Sequence, residues 1–294
     1  MLPPDGHVHT EWSWDADAGS MVGSCQRAVT LGLPAIAFTE HADFTHWDLA
    51  PAERAGLPEH LRPRAAVGPF RPPALDLAGY RECVDRCRSR FPQLRILTGV
   101  EIGEPHWHPD RVRELLGTGG FDRVLGSLHT VPVGPQLKLV NHRYATRPAV
   151  EVVRDYLAEL LRMVETGAGF AALAHLDYPI RYWPAAAGPY DPGLLAEEHR
   201  AVLRALAGSG RALELNTTLP PSPQVLRWWY EVGGGAVCFG SDAHEPAEVA
   251  REFAGAAALA QVYGFRPGRH PYDFWPRAGG PARTTPARTT PARP

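Results

Sequence analysis

The sequence predicts an α/β barrel built from seven β-then-α units, one unit short of the eight-fold type. Two observations carry this. Helical and strand-like stretches alternate in one register from one end nearly to the other, with no obvious linker between units. Histidines and carboxylates also recur where the strands end, the rim at which a barrel gathers its chemistry. An open doubly wound sheet is the alternative arrangement of the same units.

The first strand leads into His7-Val8-His9, and residues 20–32 read as a helix that stops at Gly32. Residues 34–38 form a short apolar strand. Residues 45–74, rich in proline and arginine and without periodicity, read as a long loop over one face. Asp76 caps an amphipathic helix that runs to Phe91 and leads into the strand 95–100. Residues 110–116 are helical, 121–126 extended, and 131–147 a second irregular loop. A strong helix over 148–166 precedes the strand 170–174. Helix 192–209, strand 211–215, helix 225–232 and strand 235–240 follow, and the last helix spans about 246–263. The domain is expected to end near residue 275. The Pro-Ala-Arg-Thr-Thr repeat that follows, taken as 276–294, has almost nothing to bury and reads as a disordered tail.

With 294 residues the chain can bury a sizeable core without staples. A formal net charge of −2 gives no support to a nucleic-acid surface. Charges interrupt every apolar stretch well below membrane-spanning length, so a cytoplasmic protein is expected. The four cysteines form no C-x-x-C pattern; Cys83 and Cys87 read as thiols on a helix flank.

His7 and His9, two apart on a strand, point to the same face and can reach one metal ion. The later strands end in Thr39-Glu40-His41, Gly99-Val100-Glu101, Ser127-Leu128-His129, Ala174-His175, Asn216-Thr217 and Ser241-Asp242-Ala243-His244. Six of the seven strands thus deliver a His, Asp or Glu to one rim. Imidazole with carboxylate and no thiolate motif suits zinc, iron or manganese.

These motifs, in this order over residues 5–265, resemble the PHP (polymerase and histidinol phosphatase) family. The resemblance implies a distorted seven-fold barrel with three divalent metal ions. It assigns His7, His9, Glu101 and Asp242 to the first ion, and Glu101 bridging with His129 and His175 to the second. Asp15, His41 and His244 take the third. The activity implied is hydrolysis of a small phosphate ester by a metal-bridging hydroxide, with L-histidinol phosphate as the leading substrate. Another small phosphate, such as a nucleotide or sugar phosphate, is the alternative, and a non-catalytic metal-binding module is a further one. Glu101 and Asp242 are expected to act in catalysis together with Arg181, whose guanidinium also binds phosphate. Arg143 and Arg147 are weaker candidates for the same contact. His106, in a loop near the mouth, is expected to touch substrate or to be solvated. Asp43 and Asp177 are candidates for orienting the imidazoles beside them.

Overall fold

The computed structural model describes residues 2–55 and 57–278. The chain begins with β1 (Asp5–Val8), α1 (Met21–Leu31), β2 (Ala35–Asp43) and a short α2 (Pro51–Ala55). It continues through α3 (Leu77–Arg90), β3 (Arg95–Gly103), α4 (Pro109–Gly117) and β4 (Arg123–Ser127). Next come the hairpin β5 (Thr130–Val133) and β6 (Gln136–Leu139), then α5 (Ala149–Thr166) and β7 (Ala172–Leu173). The remaining elements are α6 (Ala196–Ser209), β8 (Ala212–Asn216), α7 (Pro223–Glu231), β9 (Ala236–Gly240), α8 (Phe253–Val262) and β10 (Trp275–Pro276).

Local chemistry explains the helix limits. Ser20 Oγ accepts from Gly23 N at the start of α1, and Gly32, at φ 69°, ends it in the left-handed region. Asp76 caps α3 through the N–H groups of Ala78 and Gly79. Buried Cys25, Cys83 and Cys87 lie in the main core with residues of α1 and α3.

Seven strands run parallel in the order β1-β2-β3-β4-β7-β8-β9, with helices outside. The sheet curls until its ends meet at the rim. Val8 bridges Ala243, His9 N donates to Ala243 O (2.8 Å), and Asp242 N donates to His7 O (2.8 Å). Nearer the base, β10 pairs antiparallel with the start of β9, Trp275 opposite Val237. The result is a distorted (β/α)7 barrel. Asp5 fastens the seam: its carboxylate accepts from Ser241 N, Ser241 Oγ and Ala250 N.

The interior is filled from below by small side chains. Leu125, Ala172, Ala174, Ala212, Ala236 and Cys238 form one buried cluster, against which Phe274 packs. Above them the inward-facing positions turn charged, with Glu101 on β3 and Glu214 on β8 fully or nearly buried.

Several expectations are revised. The 131–147 loop contains the β5–β6 hairpin, turning at Gly134 (φ 58°), and a 3-10 segment over Val140–Ala145. The 45–74 loop carries α2 and a 3-10 turn, and its apolar residues Trp47, Leu49, Leu61 and Phe70 form a small core of their own. The last helix is broken, because Ala250 and Glu252 adopt positive φ before α8 begins. Pro276 belongs to β10, so the ordered barrel runs past the expected start of the tail; residues 279–294 lie outside the described residues.

Candidate metal centre

Parallel pairing sets the strand ends at one level, with His41 on β2 directly opposite Glu101 on β3. His7 and His9, both fully buried, enter from β1. Their supports fix which nitrogen carries hydrogen. His7 Nδ1 lies 2.8 Å from Glu214 Oε1, and a carboxylate can only accept, so Nδ1–H is the donor and Nε2 is bare. His9 Nδ1 lies 2.9 Å from Ser13 Oγ. That hydroxyl gives its proton to Glu40 Oε2 (2.6 Å), so it accepts from His9, whose Nε2 is bare as well.

The two bare nitrogens are 3.0 Å apart. Glu101 Oε2 lies 3.3 Å and 3.2 Å from them, and Asp242 Oδ1 3.4 Å and 3.2 Å. These four atoms all accept, and Glu101 Oε2 has no hydrogen-bond partner. Lone pairs this close repel unless a cation sits among them. Donor atoms at ~2.0–2.1 Å from one tetrahedral zinc would stand about 3.3 Å apart, which these spacings match. The donor set therefore fits a divalent ion.

Two further groups adjoin the first. Glu101 turns its other oxygen, Oε1, to His175 Nε2 (2.6 Å) and His129 Nε2 (3.5 Å), and those two nitrogens are 3.4 Å apart. Glu101 thus faces two donor groups at once. In the third, Asp15 Oδ2 is 3.2 Å from His41 Nε2 and 3.5 Å from His244 Nε2, while His9 and His41 stack at 4.2 Å. His9, His41 and His244 can themselves hold one ion, so His9 stands between the first and third groups.

The electrostatics favour positive charge here. Burial opposes the charged form of His7, yet Glu214, Asp242 and Glu101 hold its pKa well above the usual range, so His7 Nε2 attracts a cation, either a second proton or a metal ion competing for the same lone pair. Burial also opposes charge on Glu101 and Asp242, but nearby imidazoles, and Arg181 for Asp242, hold both well below the usual carboxylate range. Asp15 is depressed likewise by His41 and His244 against its burial. Asp242 sits in the left-handed region at φ 53°, a strain that non-glycine residues carry mainly at functional sites.

Arg181, on the 3-10 turn Tyr178–Tyr182, donates through Nη1 to Asp242 Oδ2 at 2.7 Å. Its Nε and Nη2 are buried without an acceptor. They form the side-on edge of the guanidinium, the fork that suits a bidentate oxyanion. The other two substrate candidates have other partners. Arg143 reaches Asp155 at 3.2 Å on α5, and His106 is held by Glu159 at 2.8 Å, its ring against Trp107. His106 is buried packing rather than a solvated mouth residue. Arg147 pairs with Glu151. Asp43 stands 3.7 Å from His41 Nδ1 and 4.0 Å from His129 Nδ1, whereas His175 Nδ1 has no hydrogen-bond partner, so Asp177 does not orient it. Burial pushes the Asp177 carboxyl up to about 6, although Arg181 pulls the other way.

Sequence reasoning missed the supports. Glu214 accepts from His7 Nδ1, His175 N (2.8 Å) and Asn216 Nδ2 (3.1 Å), joining two donor groups from the one strand whose end carries no ligand. The available signal was a carboxylate in mid-strand among leucines, Leu213-Glu214-Leu215. A Cβ at Gly240 would collide with that carboxylate and with His7, which accounts for the glycine.

A profile of the PHP domain matches residues 5–218. The histidinol-phosphatase of Lactococcus lactis is 26% identical over 257 residues, covering 83% of this chain and 85% of that protein. A probable histidinol-phosphatase of Thermotoga maritima is 33% identical over 257 residues (84% and 86%). One of Deinococcus radiodurans is 29% identical over 279 residues (89% and 94%). In structure, the chain resembles the L. lactis histidinol phosphate phosphatase crystallised with zinc, L-histidinol and phosphate. The TM-score is 0.73 at 24% identity, over 90% of this chain and 95% of that one.

Proposed function

This chain belongs to the PHP domain family, and on that premise we propose that it is a metal-dependent phosphomonoesterase that hydrolyses L-histidinol phosphate to L-histidinol and phosphate. The observation that carries the reading is the convergence of bare acceptors on His7, His9, Glu101 and Asp242 beside two buried guanidinium donors that lack an acceptor. The first group would hold one ion, Glu101 with His129 and His175 a second, and Asp15, His41 and His244 a third. Zinc, iron and manganese suit these ligands.

Divalent ions in such a site supply an acidified water and positive charge for phosphoryl oxygens. The chain's own residues supply position. Glu214 and Ser13 hold the imidazole tautomers that leave each Nε2 bare. Asp242 divides its oxygens between the donor cluster and Arg181, so the cation is fixed beside the reacting phosphate. Arg181 Nε and Nη2 then grip two phosphate oxygens and balance charge as the alkoxide leaves. Four free thiols and no helix, among the described residues, long and apolar enough to cross a membrane support placing the enzyme in the cytoplasm.

The test is phosphate release from L-histidinol phosphate by metal-loaded protein, set against sugar, nucleotide and aryl phosphates. A preference of about tenfold or more in kcat/KM is expected, the scale a specific pocket supplies. Equal turnover of the aryl ester removes the substrate assignment; no turnover of any ester removes the phosphatase.

A further inference from the structure

Behind the second and third donor groups stands one carboxylate that belongs to neither. Asp43, at the end of β2, is buried; its Oδ2 lies 3.7 Å from His41 Nδ1 and its Oδ1 4.0 Å from His129 Nδ1. An imidazole that offers Nε2 to a metal carries its hydrogen on Nδ1 and needs an acceptor there. His41 Nδ1 also lies 3.1 Å from Glu101 Oε2, but that oxygen faces His7 and His9 in the first group. Asp43 is thus the carboxylate left for both rings. The chain keeps room for it, since a Cβ at Gly103 would come within 2.3 Å of Asp43 Oδ1. Yet both gaps are too long for hydrogen bonds, and Asp43 Oδ1 and His41 Nδ1 are buried without one. The carboxylate is held from another side.

Asp43 Oδ2 accepts a hydrogen bond from Trp14 Nε1 at 2.8 Å. Trp14 stands in the loop after β1, between Ser13, which supports His9, and Asp15 of the third group. Its ring centre is 5.9 Å from that of His41, 5.4 Å from Trp47 and 5.6 Å from Phe70. It therefore packs on the small core of the 45–74 segment while its N–H reaches the metal centre. Trp47 makes a second tie, donating through Nε1 to Thr130 Oγ1 (2.7 Å), the residue after His129. An indole N–H can only donate, and its ring is rigid, so the bond sets the carboxylate's orientation as well as its place. We propose that Trp14 is a positioning residue for the second and third groups. Its N–H fixes Asp43 behind His41 and His129, and its ring ties that carboxylate to the aromatic core of the 45–74 segment. The proposal rests on the metal reading above and deepens it. The first group, supported by Glu214 and Ser13, does not depend on this link.

Zinc binding by the full chain, followed by competition with a chromogenic chelator, tests this without turnover. Trp14→Phe keeps an aromatic ring and removes the N–H. In it one ion should bind as in wild type, and every ion beyond the first at least about tenfold more weakly, the scale of losing the support behind a ligand. Melting of the chelated protein should match wild type, which a loss of packing would not allow. Asp43→Asn cuts the same link without touching the ring, so it stands in if Trp14→Phe folds poorly, and it should weaken the same ions. In the double variant the loss should fall well short of the sum of the two, because both changes cut one link. Zinc affinity indifferent to Trp14→Phe overturns the proposal. So does equal weakening of every ion, and so does strict additivity in the double variant. Wild type that retains one ion or none removes the metal reading of the second and third groups, and the proposal with it.

Discussion

The two ends of this barrel are built on opposite principles. At the base, Ala172, Ala212, Ala236 and Cys238 pack closely with Leu125 and Phe274, and Trp275 meets Phe239 edge to face at 4.8 Å. At the rim, the same inward-facing rows carry Glu101 and Glu214, ringed by His7, His9, His129 and His175. The base gains free energy by leaving water. The rim loses it, since buried acceptors facing one another are costly without a cation. The difference teaches that stability and chemistry are divided along the barrel axis, as the eight-fold barrels divide them.

The most forceful way to break that division is at the rim. His9→Ala or Asp242→Ala should lower kcat by about 10³-fold, the scale of losing a charge-stabilising group. Metal analysis should show less bound metal in each. Melting of the chelated proteins should change little or rise, because a repulsive acceptor has gone. A marked fall in chelator would put stability at the rim and erase the contrast.

Trp275→Ala attacks the base. It should cost about 3–5 kcal/mol in denaturant unfolding, as large-to-small core changes do. The fraction that remains folded should keep its kcat. Glu214→Gln sits between the two ends, preserving shape while removing the charge behind His7. Metal affinity should drop by about 10–100-fold, read by chelator competition, with a small effect on melting.

The mildest test uses acid. Burial would raise the Glu159 pKa, but His106 and Arg162 outweigh it and pull it down to about 2. A carboxylate depressed in the folded state adds stability above its unfolded pKa, and that stability is lost as pH falls through the folded value. The melting-temperature gap between wild type and Glu159→Gln should therefore narrow as pH falls from about 4.5 toward 2. A gap that is constant with pH would make Glu159 mere filler.

The division also governs what could be read from the chain. His7, His9, His41, Glu101, His129, His175 and Asp242 were legible because each stands at the same place in its unit, the end of a strand. Glu214, Glu40 and Asp5 were not, because each lies within a strand and acts through a partner remote in sequence. Asp15 was visible as a carboxylate in the loop after the first strand, but its assignment to a metal came only through the family resemblance. The β5–β6 hairpin escaped because Pro132 and Gly134-Pro135 break the alternation that marks strands. β10 escaped because a two-residue strand ending in proline carries no period at all. His106 reads as a loop residue near the mouth, and only tertiary packing reveals Glu159 beside it.

The seam at the rim has a consequence for how the protein is made. Asp5 and Ser241, fastened to each other, are 236 residues apart in sequence, and His7 and Asp242 meet just above them. On a ribosome, the first two imidazoles emerge long before the carboxylate that completes their group. Contacts this distant form late, and they slow folding. The newborn chain thus passes through most of its synthesis with half a chelating group exposed and no means of closing it. If the four residues hold an ion as proposed, the full set forms only after β9 has taken its place, so loading would be a final event in maturation and a chain cut short before residue 242 would lack the carboxylate that completes the group.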